Sequence, residues 1–503
     1  MTPERWVRAR RELRAGNVGG YAPLALGWLI GVGCEARVEE ARRERPDLVI
    51  FIVLDTLAGA HVSHLGYDRE TTPNIDRLAH DGVTFEQTIT PASYTVASIP
   101  SLLTGRLPDR HGLTWYDRRL PQSEQTIAEM ASAAGYQTFA AVAVQNGGPR
   151  YGNLQGFDEV CEVWLGPGPA DAEAFEFKGR TVHMPSAAEF ASILERQLDA
   201  RAADEATFVY FHVLEPHDPY DPPVAFKQMF VDERFKGPYS EEREPSLHDL
   251  PRDRSPEEET VAAVEHLYDA NILWADENFG RWVSALKERD CYDEALVVVT
   301  ADHGEAFWEH GVRSHGFRLY EEEIRVPLIV KFPVSWQRAG RRVSSLVSTL
   351  DIVPSLCDWL SLNRAGPDLD GRSLESLVVD PDGPAVRDHV FLRARKDVHR
   401  FGLRLAEKKL IVHDPPDDKD ALAVELYDLD ADPGEQTDLS SARPDETRQL
   451  MDELERLRTE LLTGESPPRA EHPELPEADR SLLEALGYGG GVEAPVRGSL
   501  GNE

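Results

Sequence analysis

Residues 48–56 read Leu-Val-Ile-Phe-Ile-Val-Leu-Asp-Thr, an apolar run free of Gly and Pro that stops on the carboxylate of Asp55. A run this rich in β-branched residues predicts a strand buried on both faces, of the kind found inside a mostly parallel sheet. In open sheets of that kind ligands sit beyond the carboxyl ends of the strands, so Asp55 stands where chemistry is expected. The pattern recurs twice. Thr207 to Leu214 is a second apolar strand, ending in Glu215-Pro216-His217, and Ala295 to Thr300 is a third, ending in Ala301-Asp302-His303. One acid after a strand is an ordinary cap or turn residue. Three strands of one polarity that each end in acid or imidazole bring those groups to one sheet edge, the convergence a metal site requires.

Working outward, helical patterns cover Gln125–Ala134, Ala187–Ala203 and Glu257–Arg289, a helix starts after Pro73, and strands are expected at Thr138–Ala143 and up to Val330. The hydroxyl-rich Ser93-Tyr94-Thr95 leads into an apolar turn. From about Arg387 short strand-like runs alternate with turns (389–395, 401–406, 409–412, 424–429) before a charged helix at 444–462. The expected fold is therefore α/β, a large mostly parallel sheet sandwiched by helices, with a smaller C-terminal antiparallel sheet. Residues 47–380 form the large domain and 381–465 the small one, while 221–256 reads as a surface insertion or lid. Residues 466–503, rich in Pro, Gly and Glu, read as a surface or mobile tail.

The 503 residues carry 54 basic and 89 acidic side chains, a net charge of −35. That disfavours nucleic acid or an anionic membrane surface as partner. The four cysteines, Cys34, Cys161, Cys291 and Cys357, have no metal or disulfide spacing. Residues 1–34 place Arg5, Arg8, Arg10, Arg11 and Arg14 before an apolar stretch, Ala22 to Val32, too short to span a bilayer, and close on Gly33-Cys34. This resembles a lipoprotein signal with Cys34 as the acylated residue, and the Arg10-Arg11 pair resembles a twin-arginine signal. Residues 35–46 would then be a tether. The expectation is export to a bacterial cell envelope, with the membrane met only through the N-terminal segment.

The segments FIVLDTLAGAHVSHLGYDRETTPNIDRLAHDGVTFEQ (51–87), SLLTG (101–105), EPHDPYDPP (215–223), VVVTADHGE (297–305) and HGFRLYEEEIRVPLIV (315–330) resemble the sulfatase branch of the alkaline-phosphatase superfamily. So do LDIVPSLCDWL (350–360) and ELYDLDADPGEQTDL (425–439), which extends the resemblance over roughly 47–440 in the same order. It implies an alkaline-phosphatase-like fold and hydrolysis of an anionic ester.

The departures from the family pattern shape the chemistry expected. Where sulfatases carry C/S-x-P/A-S-R, with a Cys or Ser matured to formylglycine, this chain reads Thr95-Val96-Ala97-Ser98-Ile99. Oxidation of Thr gives a ketone, so formylglycine cannot form. Thr95 is instead in the position of the nucleophile of phosphoethanolamine transferases and phosphonate monoester hydrolases. The same resemblance makes Asp55, Thr95, Asp302 and His303 the metal ligands. An imidazole and fewer carboxylates than the calcium-type set favour one zinc or manganese ion over calcium. Such an ion would lower the Thr95 hydroxyl pKa and offset charge on the transferred group. His217 and His315 match family histidines that contact substrate or protonate the leaving group. Glu215 is either a partner of a ligand or a further ligand, and His212, His310 and His389 are expected to be structural. The expected substrate is a phosphate mono- or diester. Sulfuric-ester hydrolysis and phospho-group transfer in the envelope are the alternatives, and an inactive binding relative is the least favoured.

Overall fold

A computed structural model of the chain describes residues 45–165, 174–177, 180–183, 186–202, 205–230, 250–395, 399–413 and 422–463. The targeting segment, nearly all of the tether, residues 231–249 of the expected lid and the 466–503 tail lie outside the described residues.

The Leu48–Leu54 run is strand β1, buried at every position. Around it lie β2 (Val83–Ile89), β3 (Gln137–Val142), β4 (Glu159–Glu162), β5 (Thr207–Val213), β6 (Leu296–Ala301), β7 (Arg325–Lys331) and β8 (Arg341–Ser348). They form one sheet in the order β8-β2-β7-β6-β1-β5-β3-β4. Only β7 runs against its neighbours; the remaining pairings are parallel. β1 lies between β5 and β6, so the three strands that end in candidate ligands are adjacent and in step. Leu54 is level with Val213 on one side and Ala301 on the other.

The alternation of a strand explains the two helical layers. Leu48, Ile50, Ile52 and Leu54 face one core, shared with helices α3 (Ala187–Ala200) and α4 (Glu258–Glu288). Val49, Phe51 and Val53 face the other core, which contains Ile99, Leu102 and Leu103 of helix α2 (Thr95–Thr104). Each fully buried aliphatic side chain contributes roughly 1.5–3 kcal/mol, so β1 anchors both layers. Helix α1 (Pro73–His80) starts without a side-chain cap from Thr72. Asp276 of α4 takes that role, accepting from the backbone N–H of Asn74 and Ile75, each at 2.8 Å. The apolar turn expected after the hydroxyl-rich Ser93-Tyr94-Thr95 is instead a helix, α2.

Strands β9 (His389–Arg393), β10 (Arg400–Leu405), β11 (Lys408–His413) and β12 (Ala423–Asp428) form the antiparallel C-terminal sheet in sequential order. Phe391, Leu403 and Leu410 pack with Leu454 of helix α5 (Pro444–Thr463). Val390 and Leu392 turn the other way, onto Ile89 of β2 and Leu346 of β8. No helix among the described residues is long and apolar enough to cross a membrane. Cys161, Cys291 and Cys357 are free thiols.

Candidate active site

Beyond β1 the chain turns sharply. The Asp55 N–H donates to Val213 O at 3.0 Å, and Thr56 adopts φ 64°, a left-handed conformation that is costly for a β-branched residue. Strain of this kind is of the order of 1–3 kcal/mol and persists only where surrounding contacts impose it. Here the turn aims the Thr56 N–H at Asp302 Oδ1, 3.2 Å away, which also accepts from the His303 N–H at 2.9 Å. The ends of β1 and β6 are tied to one another through the Asp302 carboxylate.

His303 Nδ1 is 2.9 Å from the Gly304 carbonyl. A carbonyl only accepts, so Nδ1 carries the ring proton and Nε2 presents a lone pair. That Nε2 lies 3.1 Å from Thr95 Oγ1, 3.3 Å from Asp302 Oδ2 and 4.0 Å from Asp55 Oδ1. Thr95 is the first residue of α2, and one turn later Ser98 Oγ donates to Asp302 Oδ2 at 3.3 Å. Two strand ends and a helix start therefore bring Asp55, Asp302, His303 and Thr95 to one point, all buried.

The charges there are unbalanced. Both Asp55 carboxylate oxygens are buried and accept no hydrogen bond. Burial, and after it the neighbouring Asp302, holds the Asp55 carboxyl well above its ordinary range. Burial acts in the same direction on Asp302, but His303, His212 and the Thr56 N–H outweigh it and keep that carboxyl below 3.8. An orphaned buried carboxylate is unfavourable unless a cation meets it. One ligand atom each from Asp55, Asp302 and His303 lie within 4.8 Å of one another. The donor set and the orphaned oxygens fit a divalent cation.

His217 and His315 come to the same place. The His315 ring is 4.3 Å from that of His303 and 5.2 Å from that of His217. Burial, then the neighbouring His315, holds His217 down at about 3. Burial and His303 hold His315 well below its usual value. His217 Nδ1 meets the Asp218 carbonyl, and His315 Nδ1 lies 3.2 Å from Glu305 Oε1. With Nδ1 spoken for in both, each ring directs Nε2 elsewhere.

Two expectations are corrected. His212, expected to be structural, sits with Nε2 3.2 Å from Asp55 Oδ2, fully buried on β5. Its ring occupies space that only a glycine at 147 leaves open, since a Cβ there would stand 2.3 Å from His212 Nδ1. Burial holds its pKa at about 4, so it meets Asp55 as a neutral ring. Glu215, expected to assist or join the ligands, instead accepts the Ala187 N–H with both oxygens at 3.0 Å and so ties down the start of α3. Burial pushes its pKa up to about 7. Glu305, which the sequence reading passed over, orients His315. Its signal was a third polar residue, one glycine after Asp302-His303. His310 stacks on Tyr320 at 3.6 Å and pairs with Glu322, and His389 lies in β9, in keeping with structural roles.

Comparison with known proteins gives the family and the fold. The ulvan-active sulfatase of Formosa agariphila is 26% identical over 376 residues, covering 71% of this chain and 70% of that protein. A structure described as a complex with its substrate D-glucosamine-2-N,6-O-disulfate superposes with a TM-score of 0.66 at 20% identity, covering 85% of this chain and all of that one. The phosphonate monoester hydrolase of Agrobacterium radiobacter superposes with a TM-score of 0.65 at 22% identity and the same coverage. At such identities these two structures establish the fold. The family model for the C-terminal part of N-sulphoglucosamine sulphohydrolase matches residues 309–461. The sulfatase family model matches residues 47–362, more than half of the chain, and the protein belongs to the sulfatase family of hydrolases.

Proposed function

We propose that the protein hydrolyses sulfuric esters by direct attack of the Thr95 hydroxyl. The observation that carries this is the placement of Thr95 Oγ1 3.1 Å from His303 Nε2, beside the orphaned Asp55 carboxylate. The names of the relatives support sulfuric esters over the phosphate esters that Thr95 and the Asp302-His303 pair led us to expect. A divalent ion held by Asp55, Asp302 and His303 would supply positive charge at the Thr95 oxygen and at the ester oxygens, lowering the hydroxyl pKa.

The chain's own residues divide the remaining work. Thr95 Oγ1 forms a bond to sulfur while the bond from sulfur to the leaving oxygen breaks, and the Thr95 proton passes to a neighbouring base. His217 or His315 returns a proton to the leaving oxygen; a positioned imidazole is typically worth roughly 10²–10⁴-fold. Burial holds the proton affinity of both rings down, and an arriving anion raises it. Water then cleaves the oxygen–sulfur bond of the sulfated Thr95, releasing sulfate and restoring the hydroxyl. A formylglycine hydrate could shed sulfate by collapse to an aldehyde; a sulfated Thr has no such route, so this water step is obligatory here.

Phosphate or phosphonate monoesters are the second reading, favoured by that same obligatory hydrolysis and by the imidazole among the ligands. Purified protein with zinc or manganese added would be assayed on 4-nitrophenyl sulfate, 4-nitrophenyl phosphate and a 4-nitrophenyl phosphonate. A higher kcat/KM on the sulfate supports the first reading; a higher value on either phosphorus ester replaces it with the second.

A further inference from the structure

The cleft in front of His217 and His315 is also lined by Arg252 and Arg313. A third guanidinium joins them from the C-terminal sheet. Arg395 follows β9, and its N–H donates to Gly316 O at 3.0 Å. Its guanidinium lies 5.2 Å from the ring centroid of Trp115 and 4.9 Å from that of Phe317. Arg252 lies over the same Phe317 ring at 5.7 Å. Aromatic faces attract a guanidinium without neutralising it, so this arrangement holds the charge of Arg252 close to that of Arg395.

The seat is built for that purpose. Gly316, next to His315, has φ +85°, and a Cβ there would stand 2.6 Å from Arg395 Cδ. The glycine is what allows the arginine stem to lie against the active-site segment. Among the described residues no carboxylate forms an ion pair with Arg252. The acids that share its cleft are Asp218 and Glu305, and Glu305 is engaged with His315. Burial, and then the charges of Arg313 and Arg395, depress the Arg252 pKa. A cluster of like charges is stabilised when an anion enters it, and in a chain of net charge −35 such a patch focuses anions locally.

On the hydrolase reading the scissile group lies at Thr95 and His303, while Arg252 and Arg313 share their cleft with His217 and His315. We infer that Arg252, with Arg313 and Arg395 beside it, is a second anion-binding subsite, and that the substrate is an ester whose leaving group carries a further carboxylate, sulfate or phosphate. The assignment of the two ends of the substrate rests on the hydrolase reading above; the existence of the subsite does not.

Equilibrium binding separates the two. The metal-loaded protein would be titrated calorimetrically with benzenesulfonate and with benzene-1,3-disulfonate, alongside the turnover assay on 4-nitrophenyl sulfate. The disulfonate should bind at least about ten-fold more tightly, as one charge-assisted contact warrants, and the preference should shrink with added salt. Arg252→Gln should bring the two affinities to within about two-fold, and Arg252→Lys should keep part of the preference, both with wild-type circular dichroism. Equal affinities in the wild-type protein, or a preference that Arg252→Gln leaves intact, overturn the subsite whatever the turnover assay shows. If Arg252→Gln does not fold, the wild-type comparison and its salt dependence decide alone. Absence of turnover on every ester tried, with the disulfonate preference present, overturns the hydrolase reading and leaves the subsite standing.

Discussion

Replacing Asp55 with Asn isolates the reason for the unbalanced charge at the strand ends. In the metal-free protein two buried carboxylates, Asp55 and Asp302, lie with ligand atoms within 4.8 Å of one another. At an effective dielectric of about 20, two unit charges at that separation repel by about 3 kcal/mol. Uptake of a proton by Asp55 relieves part of this, in the direction its raised pKa requires. Asp55→Asn removes the repulsion and adds an amide that lacks a full set of partners, a penalty of about 1–3 kcal/mol. The metal-free variant should therefore be as stable as the metal-free wild type, or up to about 2 kcal/mol more stable. The response to metal should move the other way. At a hundred-fold excess over Kd a bound ion stabilises the folded state by about 2.7 kcal/mol, and Asp55→Asn should lose most of that. The assay is thermal unfolding of both proteins in chelator and in excess zinc or manganese. A variant that melts well below chelated wild type yet keeps the full metal-dependent rise would refute the assignment of Asp55 as a ligand held at the cost of stability.

Further outcomes follow from other contacts. Asp276→Ala removes the acceptor for the Asn74 and Ile75 N–H groups at the start of α1 and should destabilise the fold by about 2–3 kcal/mol in urea unfolding. Burial pushes Asp276 up to about 7, above its unfolded value of 3.8. Its contribution is full below the unfolded value and is lost as pH rises through 7, so wild type should lose stability relative to Asp276→Asn between pH 5 and 8. Gly304→Ala would place a Cβ 2.0 Å from the Glu322 carbonyl oxygen and should lower stability by about 1–3 kcal/mol and weaken zinc binding, since His303 must shift with it. On the proposal that residues 1–34 direct export and acylation, Cys34→Ala should move the protein from the membrane fraction to the soluble fraction of its host; native protein already soluble in the cytosol would end that proposal.

What could be read in the sequence followed burial. β1, β5 and β6 are buried on both faces, so their apolar runs, and the acids and imidazoles that end them, were legible. The C-terminal hairpins were legible through alternation. β2 and β8 were not: Val-Thr-Phe-Glu-Gln-Thr-Ile and Arg-Arg-Val-Ser-Ser-Leu-Val-Ser mix polar side chains into positions near the sheet edge, and no periodicity marks them. Asp55, Thr95, Asp302, His303, His217 and His315 were named as one site and the fold brings them together. His212 and Glu215 were misread because their partners, Asp55 and the Ala187 N–H, are set by strand register and helix docking, which no local pattern encodes. The substrate is a further case. Thr95 and the Asp302-His303 pair led us to expect phosphate esters, whereas the names of the relatives favour sulfuric esters.

The account turns on Thr95 as the attacking group. A slowly hydrolysed aryl ester would be mixed with metal-loaded protein, quenched in acid within one turnover, digested and mapped by mass spectrometry. The expected result is one sulfo or phospho group on the peptide containing Thr95, absent in Thr95→Ala, which should bind metal and fold as wild type yet turn over nothing. Full activity in Thr95→Ala, or a covalent group on any other residue, would contradict it.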